Sequence, residues 1–196
     1  MEKFIGKGKG GYSYIAECNN EKYVFKQLHY EPCSTYTFGS NKLEAELRDY
    51  NRLKETGIQM PNLIAFDDKN QRLVKNFIEG DTLAQIISKN LVTDSHISQI
   101  FSMCKNLYSK NLNIDYFPTN FIVDKNNTLH YIDFECNQYM QEWDFENWGI
   151  YFLANPQGWL KFIETNDSSY INNEHGKPVK TPEIQAIVDK WLLLPH

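Results

Sequence analysis

The feature that most constrains this chain is a glycine run set between two strands. Gly6-Lys7-Gly8-Lys9-Gly10-Gly11 follows the strand-like Lys3–Ile5 and precedes the strand-like Tyr12–Ala16. The Gly6-x-Gly8-x-x-Gly11 spacing serves a dinucleotide fold only where it joins a strand to a helix. Here a second strand follows, so a glycine-rich hairpin is expected instead. Asn19-Asn20 tolerates the positive φ of a tight turn and leads into a third strand, Tyr23–Leu28. The chain therefore opens as an antiparallel sheet.

The pattern then changes period. Glu31–Ser40 is rich in Ser, Thr, Pro and Gly and reads as a loop. Leu43, Leu47, Tyr50 and Leu53 recur every three or four residues, which predicts a helix over Asn41–Glu55, ended by Gly57. Leu63–Phe66 and Arg72–Ile78 form a hairpin around Asp68-Lys69-Asn70. Asp81 or Thr82 caps a short helix, Leu83–Ser88, and a longer helix after Thr93-Asp94-Ser95 buries Ile97, Ile100, Phe101, Cys104, Leu107 and Tyr108. Phe121–Val123 and Leu129–Ile132 bracket Asn126-Asn127 as a third hairpin. From Trp143 the chain reads as helical, with a polar break at Thr165–Lys180. The change of character near Gly80 is the expected lobe boundary. No internal repeat or low-complexity tract occurs.

Composition limits the function classes. At 41% hydrophobic and 23% charged residues, 196 residues make an ordinary globular chain of one domain or two lobes. A net charge of −5 argues mildly against nucleic acid or an anionic membrane as the main partner. No apolar run suits a signal peptide or a membrane span. Cys18, Cys33, Cys104 and Cys136 lack zinc spacing, and free thiols in a reducing, cytoplasmic setting are the simplest expectation.

Several side chains stand out chemically. Glycines let backbone amides approach phosphate oxygens without a Cβ clash, although a plain flexible hairpin has the same composition. Lys26 alternates onto the same strand face as Val24 and Leu28, where an ammonium needs an anion. Glu46 on the following helix can supply one; the alternative is a lysine that snorkels to solvent beside ordinary surface acids. Asp115 and Asn120 lie five residues apart in Asp115-Tyr116-Phe117-Pro118-Thr119-Asn120, and Asp133 ends an apolar strand. An amide and a carboxylate that converge can hold Mg²⁺, leaving another Asp to receive a proton. Any one Asp alone would read as a turn former or helix cap.

The ordered series Gly6-x-Gly8-x-x-Gly11, Lys26, Glu46, Asp115-x4-Asn120 and Asp133-Phe134-Glu135 resembles the protein-kinase-like superfamily. Tyr131-Ile132-Asp133-Phe134-Glu135, followed by Trp143-Asp144-Phe145-Glu146-Asn147-Trp148, is most similar to its aminoglycoside phosphotransferase and choline kinase branch. Phe77-Ile78-Glu79-Gly80 resembles the segment that joins the lobes and meets the adenine. The likeness runs from about Lys3 to Phe152.

The resemblance implies an α+β, two-lobed fold: residues 1–79 as a nucleotide-binding lobe with a five-stranded antiparallel sheet and one helix, and residues 80–196 as a reduced, mainly helical catalytic and acceptor lobe. It implies ATP and Mg²⁺ as cofactors. Gly6, Gly8 and Gly11 would cover the phosphates, Lys26 would bind them and Glu46 would orient it. Phe77 and Glu79 would lie beside the base, Asn120 and Asp133 would hold the metal, Asp115 would act on the acceptor hydroxyl, and Asp144 would buttress the loop.

This sequence departs from the pattern at three points. Asn113 replaces a histidine with a mostly structural role, Phe117 stands where Ser/Thr protein kinases carry a lysine, and only ten residues separate Asp133 from Asp144. The last two disfavour a conventional protein kinase, so a small-molecule hydroxyl is the first expected acceptor. A protein acceptor reached through a partner, autophosphorylation, or a non-catalytic nucleotide-binding scaffold are the alternatives. In size the chain is nearer the minimal kinases, among them the small atypical kinase that works with tRNA-modification partners. The five histidines lack metal spacing, and Trp143, Trp148, Trp159 and Trp191 are expected in packing roles.

Overall fold

A computed structural model describes residues 2–8, 10–32, 41–173 and 176–195. Strands β1 (Glu2–Lys7), β2 (Gly11–Cys18) and β3 (Glu21–Leu28) form an antiparallel meander. Asn19 and Asn20 close the β2–β3 hairpin with φ of 53° and 63°. Two successive positive φ values make the turn whose twist matches the strands.

Helix α1 (Lys42–Lys54) comes next, and the Asn41 side chain caps it by accepting from the Glu44 amide at 3.0 Å. Gly57, at φ 72°, stands just past its end. Strands β4 (Leu63–Asp67) and β5 (Arg72–Asn76) complete a five-stranded sheet in the order β1-β2-β3-β5-β4. The β3–β5 register sets Lys26 opposite Leu73 and Val24 opposite Lys75. Opposed residues share a face, so Val24, Lys26, Leu28, Leu73 and Lys75 all look toward α1 and the rest of the chain.

The second part is built from β6 (Gly80–Thr82), α2 (Leu83–Ser88), α3 (Asp94–Tyr108), β7 (Leu112–Ile114), β8 (Phe121–Asp124), β9 (Leu129–Tyr131), β10 (Cys136–Gln138), α4 (Ile150–Leu153), α5 (Pro156–Thr165) and α6 (Pro182–Trp191). Thr82 caps α2 in a reciprocal box with Gln85. A π-helical turn at Phe145–Gly149 precedes α4.

Three expectations need adjustment. The Phe121–Ile132 hairpin gains β6 as a third strand, and β7 pairs with β10. These three-residue strands are too short to show a sequence period. The strand expected to reach Ile78 ends at Asn76. The polar break holds a 3₁₀ turn at Ser168–Tyr170 and a bridge between Asn172 and Pro178. Most of the expected loop at Glu31–Ser40, with Cys33, lies outside the described residues, as do Lys9 and His175.

Two buried cores result. A small one under the sheet joins Leu28, Leu43, Tyr50, Leu73 and Phe134, with the Tyr50 and Phe134 rings 4.7 Å apart. A larger one gathers side chains of α2 to α6 and β7 to β10, including the fully buried Trp159, Phe121, Phe145 and Phe152. Among the described residues no helix is long and apolar enough to cross a membrane.

Candidate active site

Between the sheet and the second part lies a cleft of about 960 Å³, lined by Gly8, Gly10, Gly11, Lys26, Glu46, Asp115, Asn120 and Asp133, among others. That size suits a small ligand with a few convergent polar groups. The Lys26 ammonium is hydrogen-bonded to the Glu46 carboxylate and stands 3.8 Å from Asp133 Oδ1. Burial by itself would favour the neutral amine. The charges of Glu46 and Asp133 reverse that and hold the Lys26 pKa above its ordinary value.

The glycine turn approaches this lysine from above. The Gly8 amide donates to the Gly11 carbonyl at 2.9 Å. A Cβ on Gly11 would lie 2.7 Å from the Gln27 carbonyl oxygen and 3.2 Å from Lys26 Cγ, so this position admits no side chain without a shift. Gly6 differs: a Cβ there meets nothing within 4 Å, and Gly6 does not line the cleft. Gly10, which the sequence spacing left out, does line it.

The opposite wall comes from the Asp115–Asn120 loop and the chain after β9. Asp115 Oδ1 accepts from the Phe117 amide at 3.0 Å, and Asn120 Nδ2 donates to the Asp115 carbonyl at 3.2 Å. The Asn120 carboxamide oxygen is then the donor atom left for a ligand. Asp133 Oδ1 accepts from the Phe134 amide at 2.9 Å. Among the described residues no three His, Cys, Asp or Glu side chains group as metal ligands. One carboxylate and one carboxamide oxygen do fit Mg²⁺, which is commonly held by one or two protein oxygens together with substrate phosphates. Glu135 adds a third acid to this wall. Burial and then the charges of Asp133 and Asp115 raise its pKa above the ordinary glutamate value.

Asp144 is buried outside the cleft lining. Its carboxylate accepts from the Asn147 amide at 2.8 Å and from the Tyr139 hydroxyl at 3.0 Å. Asn113, which replaces the expected histidine, donates from Nδ2 to the Trp143 carbonyl at 2.9 Å and so ties β7 to the turn before Asp144. Its Oδ1 is buried and, among the described residues, has no hydrogen-bond partner.

Phe77 and Glu79 are not brought into this cleft. They line a separate hollow with Asp124 and His130, and Glu79 is 3.4 Å from exposed Lys22. Trp159 and Trp191 pack in the core as expected and Trp148 packs against it, its ring 4.9 Å from that of Phe152; Trp143 and Trp148 also line the cleft. Besides Gly10, sequence reasoning missed Lys75. It is 7% exposed and lines the same cleft. The signal was present: Leu73-Val74-Lys75 alternates as Val24-Phe25-Lys26 does.

No family model matches this chain. A curated relative, the EKC/KEOPS complex subunit bud32 of Dictyostelium discoideum, is 29% identical over 119 residues, covering 56% of this chain and 47% of that protein. A chain in the structure of the CAK complex from Chaetomium thermophilum bound to ATP-γ-S superposes with a TM-score of 0.53 at 16% identity, over 72% of this chain and 48% of that one. The fold is kinase-like. At that identity the second likeness is one of fold alone, and this chain spans about half the length of each of these two proteins.

Proposed function

We propose that this chain is a small kinase-like phosphotransferase that takes up ATP with Mg²⁺ and passes the γ-phosphoryl group to a hydroxyl, with a protein as the favoured acceptor class. One observation carries the reading: Lys26 is held between Glu46 and Asp133 in a cleft shared with Asp115 and Asn120. The relative named as a complex subunit supports a protein partner, and the ATP-γ-S complex supports the nucleotide. In this reading residues 1–79 and 80–196 are the two lobes.

Lys26 would grip the phosphates, with Glu46 keeping its ammonium in place. The turn of Gly8, Gly10 and Gly11, where no side chain stands in the way, would lie over them. Asn120 Oδ1 and Asp133 would hold Mg²⁺, whose charge neutralises the phosphate oxygens. Asp115 would take the acceptor's proton as the new O–P bond forms and the bond to the β-phosphate oxygen breaks. Such transfer needs positioning and charge neutralisation more than covalent help. Asp144 and Asn113 would fix the loop from behind.

A small-molecule acceptor is the second reading, favoured by the indoles of Trp143 and Trp148 on the cleft wall. The Asp133-Phe134-Glu135 form keeps the aminoglycoside phosphotransferase and choline kinase branch as the finer assignment under that reading. Melting the protein with and without Mg-ATP tests the nucleotide. At about 100 times its dissociation constant it should add roughly 2.7 kcal/mol. No shift in a folded protein rejects both readings. Radiolabelled ATP offered to protein and small-molecule pools then decides the acceptor, and binding without transfer to either leaves a scaffold.

A further inference from the structure

Lys75 makes two contacts that no sequence motif announces. From the penultimate position of β5 its ammonium donates to the carbonyl of Ile132, and it sits 4.6 Å from the centroid of the Phe134 ring. Ile132 and Phe134 are the two chain neighbours of Asp133. The side chain is buried and, among the described residues, forms no ion pair. Lys26 lies on the same sheet face two residues along the paired strand, since Lys75 faces Val24. One sheet thus carries the lysine that meets the Asp133 carboxylate and the lysine that holds the carbonyl before Asp133 and the ring after it.

We infer that Lys75 is a positioning residue for Asp133: it clamps the Ile132–Phe134 segment to β5 and so sets the spacing between the Asp133 carboxylate and the Lys26 ammonium. The chemistry supports this use. A buried ammonium is costly unless its donors are used, and a carbonyl plus an aromatic face are weak partners compared with a carboxylate. A methionine would fill the same space at less cost if packing were the only requirement. What methionine cannot do is donate to Ile132. That carbonyl would be left unpaired while the Ile132 amide stays bonded to the Asn120 carbonyl at 2.8 Å. The segment would keep its hydrogen bond to the metal-side loop and lose the one to β5, leaving the packing of Phe134 and the ion pair of Asp133 with Lys26 to hold it to the sheet.

This inference rests on the proposed nucleotide site, and the test separates the two. In nucleotide-free protein, hydrogen exchange at the Asp133 and Phe134 amides should speed up about tenfold or more in Lys75→Met, with distant core amides unchanged. Mg-ATP affinity, read by titration calorimetry, should weaken on the order of tenfold, as loss of an outer support of a metal ligand commonly does. In an Asp133→Asn background the same change should cost nothing further, because the effect passes through Asp133. Lys75→Gln, which keeps a donor, should fall between wild type and Lys75→Met and serves if the latter does not fold. Unchanged exchange at Asp133 and Phe134 in a folded variant, or losses that add fully with Asp133→Asn, overturns the clamp. If wild type binds no Mg-ATP the nucleotide reading fails, and the exchange result still decides the clamp.

Discussion

The two parts of this molecule are stabilised differently. Under the five-stranded sheet the buried core is small, and β2 and β3 are mostly half-buried along their length. Phe4 and Phe66 are more than half exposed. The second part packs a continuous aromatic core in which Phe117 lies 5.3 Å from both Phe152 and Trp159. The sheet therefore gives up apolar burial to carry charge: Lys26 and Lys75 occupy its inner face, where hydrophobic side chains would otherwise close the cleft. The helical part supplies the rigid wall on which Asp115, Asn120 and Asp133 are mounted.

The largest expected effect tests the wall's chemistry. Asp115→Ala should lower phosphoryl transfer by about 10²–10⁴-fold while the Mg-ATP melting shift remains. Full-rate transfer would remove Asp115 from its role. The next tests the wall's rigidity: Trp159→Ala, at a fully buried position, should cost about 3–5 kcal/mol in urea unfolding.

A third prediction sharpens the cost of charge in the sheet. Burial, and then repulsion from Lys26, lowers the Lys75 pKa from 10.5 to about 8. Between those values the unfolded chain binds the extra proton, so raising pH favours the folded state. Wild type should thus gain up to about 3 kcal/mol over Lys75→Met from pH 8 to 10.5, with no relative slope below pH 8. A flat difference in paired urea melts across that window would mean Lys75 keeps its ordinary pKa.

Gly11→Ala should then cost about 1–3 kcal/mol through its clash with the Gln27 carbonyl. Gly6→Ala, in open space, should instead be neutral or stabilising by less than about 1 kcal/mol. Equal losses at both would mean the turn is not crowded at Gly11. Smallest of all, Phe66→Ala on the exposed sheet face should change stability by less than about 0.5 kcal/mol. A loss near that of Trp159→Ala would break the contrast between the two parts.

What the sequence determined was whatever depends on neighbours along the chain. The Asn19-Asn20 turn, the α1 face of Leu43, Tyr50 and Leu53, and the sheet's five strands follow from period and turn chemistry. So does the side of β3 on which Lys26 stands. The three-residue strands β6, β7 and β10 were not legible, because they exist only through partners far along the chain. Tertiary structure alone decided that β5 pairs with β3. That pairing puts Lys75 beside Lys26 and behind Asp133, and it leaves Phe77 and Glu79 in a separate hollow. Alternation assigns a side chain to a face, whereas its partner across the cleft depends on how sheet and helices pack.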